Sequence, residues 1–223
     1  MKKKDTKSPE QRPRIKRVAM PAISLEKKDV LALREGLLTL LRVPMVPQPP
    51  LGTVKVLPVN DTCEWFYYAI EDVLAREITG GFLESYKPHS EIPESFTTPY
   101  GKKGFVIKVK EDYREIRGKP IYKADKEPLF NEWSKAFMMP DEFVRYGMEV
   151  VNIAGERLQA IKAKDVVNVL GFSKSDLAYP DEPHKDYQLH WDHQFAGSAN
   201  AYDKNPWVWS VRVRLKEMDD AVA

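Results

Sequence analysis

The sequence predicts an α+β domain built around a small, strongly bent sheet, and three observations lead there. Some short stretches alternate apolar and polar residues with the period of two that marks a half-buried strand. Others repeat apolar residues every three or four positions, as a helix does, and the two kinds are mixed along the chain rather than segregated. The 223 residues are 43% hydrophobic and 30% charged, a mixture that suits one folded domain with a real core.

Residues 1–20 stand apart. They hold eight basic side chains (Lys2, Lys3, Lys4, Lys7, Arg12, Arg14, Lys16 and Arg17) against Asp5 and Glu10, a charge of +6, whereas the remaining 203 residues sum to −4. With prolines and few large apolar groups, such a segment cannot bury enough surface to offset its ordering entropy, so a mobile basic tail is expected. A cationic arm of this kind can follow a phosphate backbone, and the alternative is a solubilising tail or one that folds against the acidic body.

The folded domain is expected over 21–217, with a short C-terminal tail at 218–223. Ser24 is placed to cap a helix running to about Leu41, where Val30, Leu33, Leu37 and Leu41 recur at helical spacing and Leu38 and Leu40 widen the stripe. Four prolines in 43–50 then predict an extended linker. Asp61 and Glu64 form a capping-box pattern, which predicts a helical insertion near 61–80 with Trp65, Phe66, Tyr68, Ala69, Val73 and Leu74 on its apolar side and Gly80-Gly81 as its stop. That aromatic cluster could stack bases, but at helical spacing it reads better as core.

Strands follow. In 104–111, Phe105, Ile107 and Val109 share one face and Val106, Lys108 and Lys110 the other, and 121–124 is the expected neighbour. A strand over 148–153 and a short helix over 164–170, closed by Gly171, come next. The run 207–215 alternates over nine residues, with Trp207, Trp209, Val211, Val213 and Leu215 assigned to the core and Ser210, Arg212 and Arg214 to the outside.

Several chemistries are set aside by what is missing. Cys63 is the one cysteine, so neither an intrachain disulfide nor a cysteine-rich zinc module can form, which points to a reducing compartment; on an apolar helix it reads as packed. The lysine-rich start leads into a polar, proline-containing stretch rather than the apolar core of a secretory signal, and no apolar run approaches the roughly 18 residues that span a bilayer, so a cytoplasmic protein without a membrane partner is expected. His190, Asp192 and His193 lack a third ligand at a telling distance, and the 101–104 loop lacks the spacing of a phosphate loop. Neither a metal nor a cofactor is expected.

From Pro21 to about Glu217 the order of short motifs resembles the ASCH proteins common in phages and prophages, a branch of the PUA-like superfamily. The motifs are Asn205-Pro206-Trp207-Val208-Trp209 at the end; Met139-Pro140 followed by Arg145; Glu156 to Ile161 followed by Asp165; Tyr100-Gly101, Gly104 and the strand reaching Glu111; Tyr122 to Asp125; and the Trp191-Asp192 pair. The resemblance implies a small PUA-like β-barrel with flanking helices. It also implies that Gly36 and Arg42 keep family positions, whereas Leu38 and Leu41 stand where some relatives, amidohydrolases on acylated cytidine, carry a lysine and a threonine, and Phe105 replaces an aspartate.

Leucines cannot lower a pKa, stabilise an oxyanion or supply a nucleophile, so of that machinery Glu111 alone remains aligned. Thr39 could restore a hydroxyl only with a shift of helix register. The expected function is therefore non-enzymatic binding of RNA, DNA or a modified nucleotide, through Arg42, Lys108, Lys110, Glu111 and Arg145 with the tail cations Lys2, Lys3, Lys4, Arg12, Arg14, Lys16 and Arg17. The alternatives are an acyl-nucleoside amidohydrolase rearranged around Glu111 and Thr39, and a phage effector that binds a host protein. Volume and polarity predict that Leu38 and Leu41 pack inward or plug the pocket, leaving Glu111 to pair with Arg42 or Arg145.

Overall fold

The computed structural model describes residues 21–49, 52–58, 64–69, 96–126 and 132–218. Eight strands form one curled, half-barrel sheet: β1 (Ala22–Leu25), β2 (Leu40–Pro44), β3 (Thr53–Pro58), β4 (Glu64–Ala69), β5 (Phe96–Thr97), β6 (Val106–Glu111), β9 (Tyr146–Arg157) and β10 (Trp207–Glu217). Between β6 and β9, β7 (Tyr113–Ile116) and β8 (Lys119–Tyr122) make a separate two-stranded ribbon. Three α-helices complete the described residues, α1 (Lys27–Arg34), α2 (Ala163–Leu170) and α3 (Pro183–Phe195).

The twelve-residue β9 is the spine of the sheet. β10 runs antiparallel along its whole length, from Trp207 opposite Arg157 to Glu217 opposite Tyr146, with a bulge between Arg212 and Val213 that bends the pair. On its other edge β9 pairs with β6 near one end and meets β3 through Gly155 and Val56 near the other. β2 extends the sheet beyond β10, and β1 adds in parallel to β6. Inside the curl lie Ile107, Val109, Met148, Val150, Val211 and Val213, each at most 3% exposed, with Trp65 and Trp209 edge to face at 4.9 Å.

The alternation expected over 104–111 is observed from Val106 on as β6, whereas Phe105, assigned to the buried face, precedes the strand and is 37% exposed; 148–153 lies within β9, and α2 ends at Gly171, whose φ of +66° is the left-handed conformation that glycine adopts freely. Four other expectations are corrected. The helix expected from Ser24 to Leu41 covers only Lys27–Arg34, flanked by β1 and β2. Gly36, at φ +72°, turns the chain back so that the amides of Leu37 and Leu38 both donate to the carbonyl of Ala32. A short leucine-rich run satisfies either periodicity, and here pairing with β10 decides for strand.

Within the helix expected near 61–80, Glu64–Ala69 is instead strand β4, paired with β3 and β5; aromatic residues favour a pleated surface, and the paired edges outweigh the capping pattern. Cys63 and the rest of that segment lie outside the described residues. The neighbour of β6 is not 121–124, because β8 folds back on β7. Finally, the outer face of β10 is not solvated near its start. Val208 is fully buried with Leu158, Val166, Tyr187 and Trp191 beneath α2 and α3, and Ser210 is only 8% exposed; of the three residues assigned outward, Arg212 is half-buried and Arg214 is exposed, paired with Glu149.

Candidate functional site

Glu111 is the last residue of β6, in register with Leu25 of β1, and is 2% exposed. Its carboxylate is held by Arg145, whose Nε donates to Oε1 at 2.9 Å and whose Nη2 donates to Oε2 at 3.1 Å. Arg145 also donates to Asp125, which in turn accepts from Arg34 at 2.8 Å. The guanidinium lies over the Tyr122 ring at 3.8 Å and the Tyr146 ring at 4.7 Å. Burial pushes the Glu111 carboxyl above its ordinary value against the pull of Arg145. Burial acts the same way on Asp125, but the two arginines outweigh it and hold that group low. Arg145 thus engages both oxygens of Glu111.

The other sequence-derived candidates are dispersed. Arg42 is inside the protein, its side chain 1% exposed; Nη1 donates to Glu156 at 3.2 Å and Nη2 to the carbonyls of Arg157 and Leu158. Lys108 and Lys110 both turn to Asp141, at 2.7 and 3.3 Å, and Lys110 also donates to the Met139 carbonyl. Those two lysine contacts hold the Asp141 carboxyl below its ordinary value. Thr39 is half-buried, with its amide on Asn168 and its carbonyl accepting from Val213. Lys2, Lys3, Lys4, Arg12, Arg14, Lys16 and Arg17 lie outside the described residues.

Leu38 and Leu41, 4% and 7% exposed, do pack inward, from the turn before β2 and from β2 itself rather than from a helix. They form part of the wall of a cleft of about 390 Å³ that Ile23, Tyr100 and Phe195 also line. Burial pushes the Tyr100 hydroxyl up to about 12 and raises the Asp29 carboxyl at the same cleft. Arg42, His190 and Gln194 share the lining, so the cleft mixes polar and apolar groups, with Leu38 and Leu41 where the resemblance would require a lysine and a threonine.

A different cleft, of about 760 Å³, opens between the start of α1 and the 3-10 turn Ala136–Met138. Lys27, Lys28, Lys123 and Lys135 line it against Glu26 and Asp112, an excess of two positive charges. Its construction follows from local chemistry. Asp112 accepts from the amide of Ala136 at 3.0 Å and from Lys123 Nζ at 3.0 Å, tying the turn to the end of β8. Because Ala136 and Met139 face inward, at 7% and 1% exposed, the residues between them must face out, and Phe137 is 72% exposed and Met138 60%.

The lysines are only partly neutralised. Lys28 reaches Glu26 loosely at 3.8 Å, Lys27 donates to the Lys126 carbonyl, and Lys135 has no ion-pair partner among the described residues. Sequence reasoning missed this site because its walls come from segments about a hundred positions apart; the adjacent Lys27-Lys28 pair was the one local signal. Among the described residues no group of three or more histidine, cysteine or acidic side chains could hold a metal, and Asp192 instead accepts from the Tyr202 amide. No described helix is long and apolar enough to cross a membrane. No family model matches the chain, and no curated protein or solved structure matches it.

Proposed function

We propose that this chain is a non-enzymatic, PUA-like module of the ASCH type that binds nucleic acid or a nucleotide at the lysine-lined cleft. The observation that carries the reading is the combination of four lysines and an outward-facing phenylalanine around a cavity of about 760 Å³, within the size range of ligand sites. Lysines supply point charges for phosphate and an exposed aromatic ring supplies a stacking surface. The +6 segment 1–20 precedes in sequence Ser24 on the cleft wall, and a cationic arm adds salt-dependent affinity for phosphate.

The curled sheet with flanking helices is compatible with a PUA-like barrel, and the motif order from Pro21 to Glu217 supports the ASCH assignment. The non-enzymatic reading rests on Leu38 and Leu41 and on the engagement of both Glu111 oxygens by Arg145. Fluorescence anisotropy against labelled oligonucleotides at two salt concentrations tests binding: affinity should fall steeply with salt, and no binding at low salt would sink the proposal. Incubation with acylated cytidine should yield no product.

A further inference from the structure

The ribbon β7–β8 stands on the wall of the same cleft. Its first and last residues, Tyr113 and Tyr122, pair with each other, and the flanking Asp112 and Lys123 line the cavity. Tyr113 also exchanges two backbone hydrogen bonds with Ser134, at 3.1 and 2.8 Å, so the ribbon is fastened to the strand of chain that presents Phe137 three residues later. The far end is a two-residue turn, with Arg117 at φ +53° and Gly118 at φ +76°, the left-handed pair of a tight hairpin. Arg117 and Lys119 are exposed there and have no ion-pair partner among the described residues.

We propose that ribbon and cleft form one track for a single-stranded nucleic acid, in which Arg117 and Lys119 hold the backbone while Phe137 stacks an unpaired base at the cleft mouth. This rests on the nucleic-acid reading above and narrows it to one ligand class. A base within a duplex is covered on both faces by its neighbours and cannot lie on Phe137, whereas a single strand offers its bases freely. From Tyr113 to Arg117 the ribbon reaches about 14 Å, the span of about four stacked nucleotides at 3.4 Å each. The length of the ribbon therefore suits a short stretch of backbone running from cleft to tip.

The test uses the full chain with labelled twelve-nucleotide single-stranded RNA, single-stranded DNA and duplex DNA, titrated at several salt concentrations. Both single strands, or one of them, should bind more tightly than the duplex. Phe137→Ala should weaken single-strand binding about tenfold and leave the duplex unchanged. Arg117→Gly combined with Lys119→Ser should lower the slope of log affinity against log salt by about 1.4, and glycine fits the turn's positive φ, so the fold is kept. Duplex binding equal to single-strand binding, or no effect of Phe137→Ala, would overturn the track and leave the nucleic-acid reading standing. No binding by any of the three probes would overturn both.

Discussion

Arg145 grips Glu111 with two parallel hydrogen bonds, Nε to Oε1 and Nη2 to Oε2, at the point where β6 leaves the sheet. The carboxylate is 3% exposed as a side chain and the guanidinium 21%, so the pair is screened little by water. Removing the cation strands a buried charge, and removing the negative charge does not. Arg145→Ala should therefore cost about 3–5 kcal/mol, and Glu111→Gln less, about 1–3 kcal/mol. Urea denaturation gives the order, and equal costs would show that the pair is hydrated. The deficit of Arg145→Ala should shrink as the pH is lowered, because a carboxyl that burial already raises then takes up a proton.

Asp125 titrates in the opposite sense. Its folded value is held below 3.8 by Arg145 and Arg34, so its contribution to stability is complete above the unfolded value and disappears as pH falls through the folded one. Asp125→Asn should lower the urea midpoint at pH 7 and leave a smaller further loss on acidification below the usual aspartate range than the parent chain shows. Parallel curves for the two proteins would refute the assignment.

Leu38 and Leu41 test whether the leucine-walled cleft is a lost active site. Leu38→Ala should cost about 2–5 kcal/mol as an ordinary buried leucine. Leu38→Lys should cost at least as much, because it buries an unpaired ammonium, and should restore no cleavage of acylated cytidine. A Leu38→Lys, Leu41→Thr protein that keeps its melting temperature and releases cytidine would show a cleft missing only its chemistry.

Gly155 sits where β3 and β10 meet β9. A Cβ there would lie 2.6 Å from Val56 Cβ and 2.8 Å from Met45 Cε. Gly155→Ala should lower stability by about 1–3 kcal/mol through overpacking, and combined with Val56→Gly, which removes the Cβ it meets, the loss should be smaller than the sum of the two single losses. Additive losses in a thermal melt would place the strain elsewhere.

Strand and helix identity was legible wherever the repeating pattern was long or ended by a glycine, as in β6, β9, β10 and α2. It failed over Ser24–Leu41 and Glu64–Ala69, where the apolar runs fit both periods and the choice is made by partner strands that are distant in sequence. The burial of Ser210 was hidden for a related reason: whether a strand's second face is wet depends on where α2 and α3 come to rest. Glu111 was singled out with Arg145 as one of two candidate partners. The lysine-lined cleft was not foreseen, since no local pattern brings Lys28 to Lys135.

The parallel pairing of β1 with β6 belongs to the part of the fold that closes over long stretches of chain. Ile23 lies opposite Val109 although they are 86 positions apart, and β1 ends the sheet path, held there by β6 alone among the described strands. Contacts between such remote positions form late, whereas the hairpin β7–β8 closes over ten residues. β2 meets β10 across 164–172 positions, so refolding should form the β7–β8 hairpin first and both remote pairings after it. Ser24 and Leu25 supply one wall of the lysine-lined cleft, so a chain without β1 in place carries the cations without the cavity, and ligand capacity should return after the hairpin has formed.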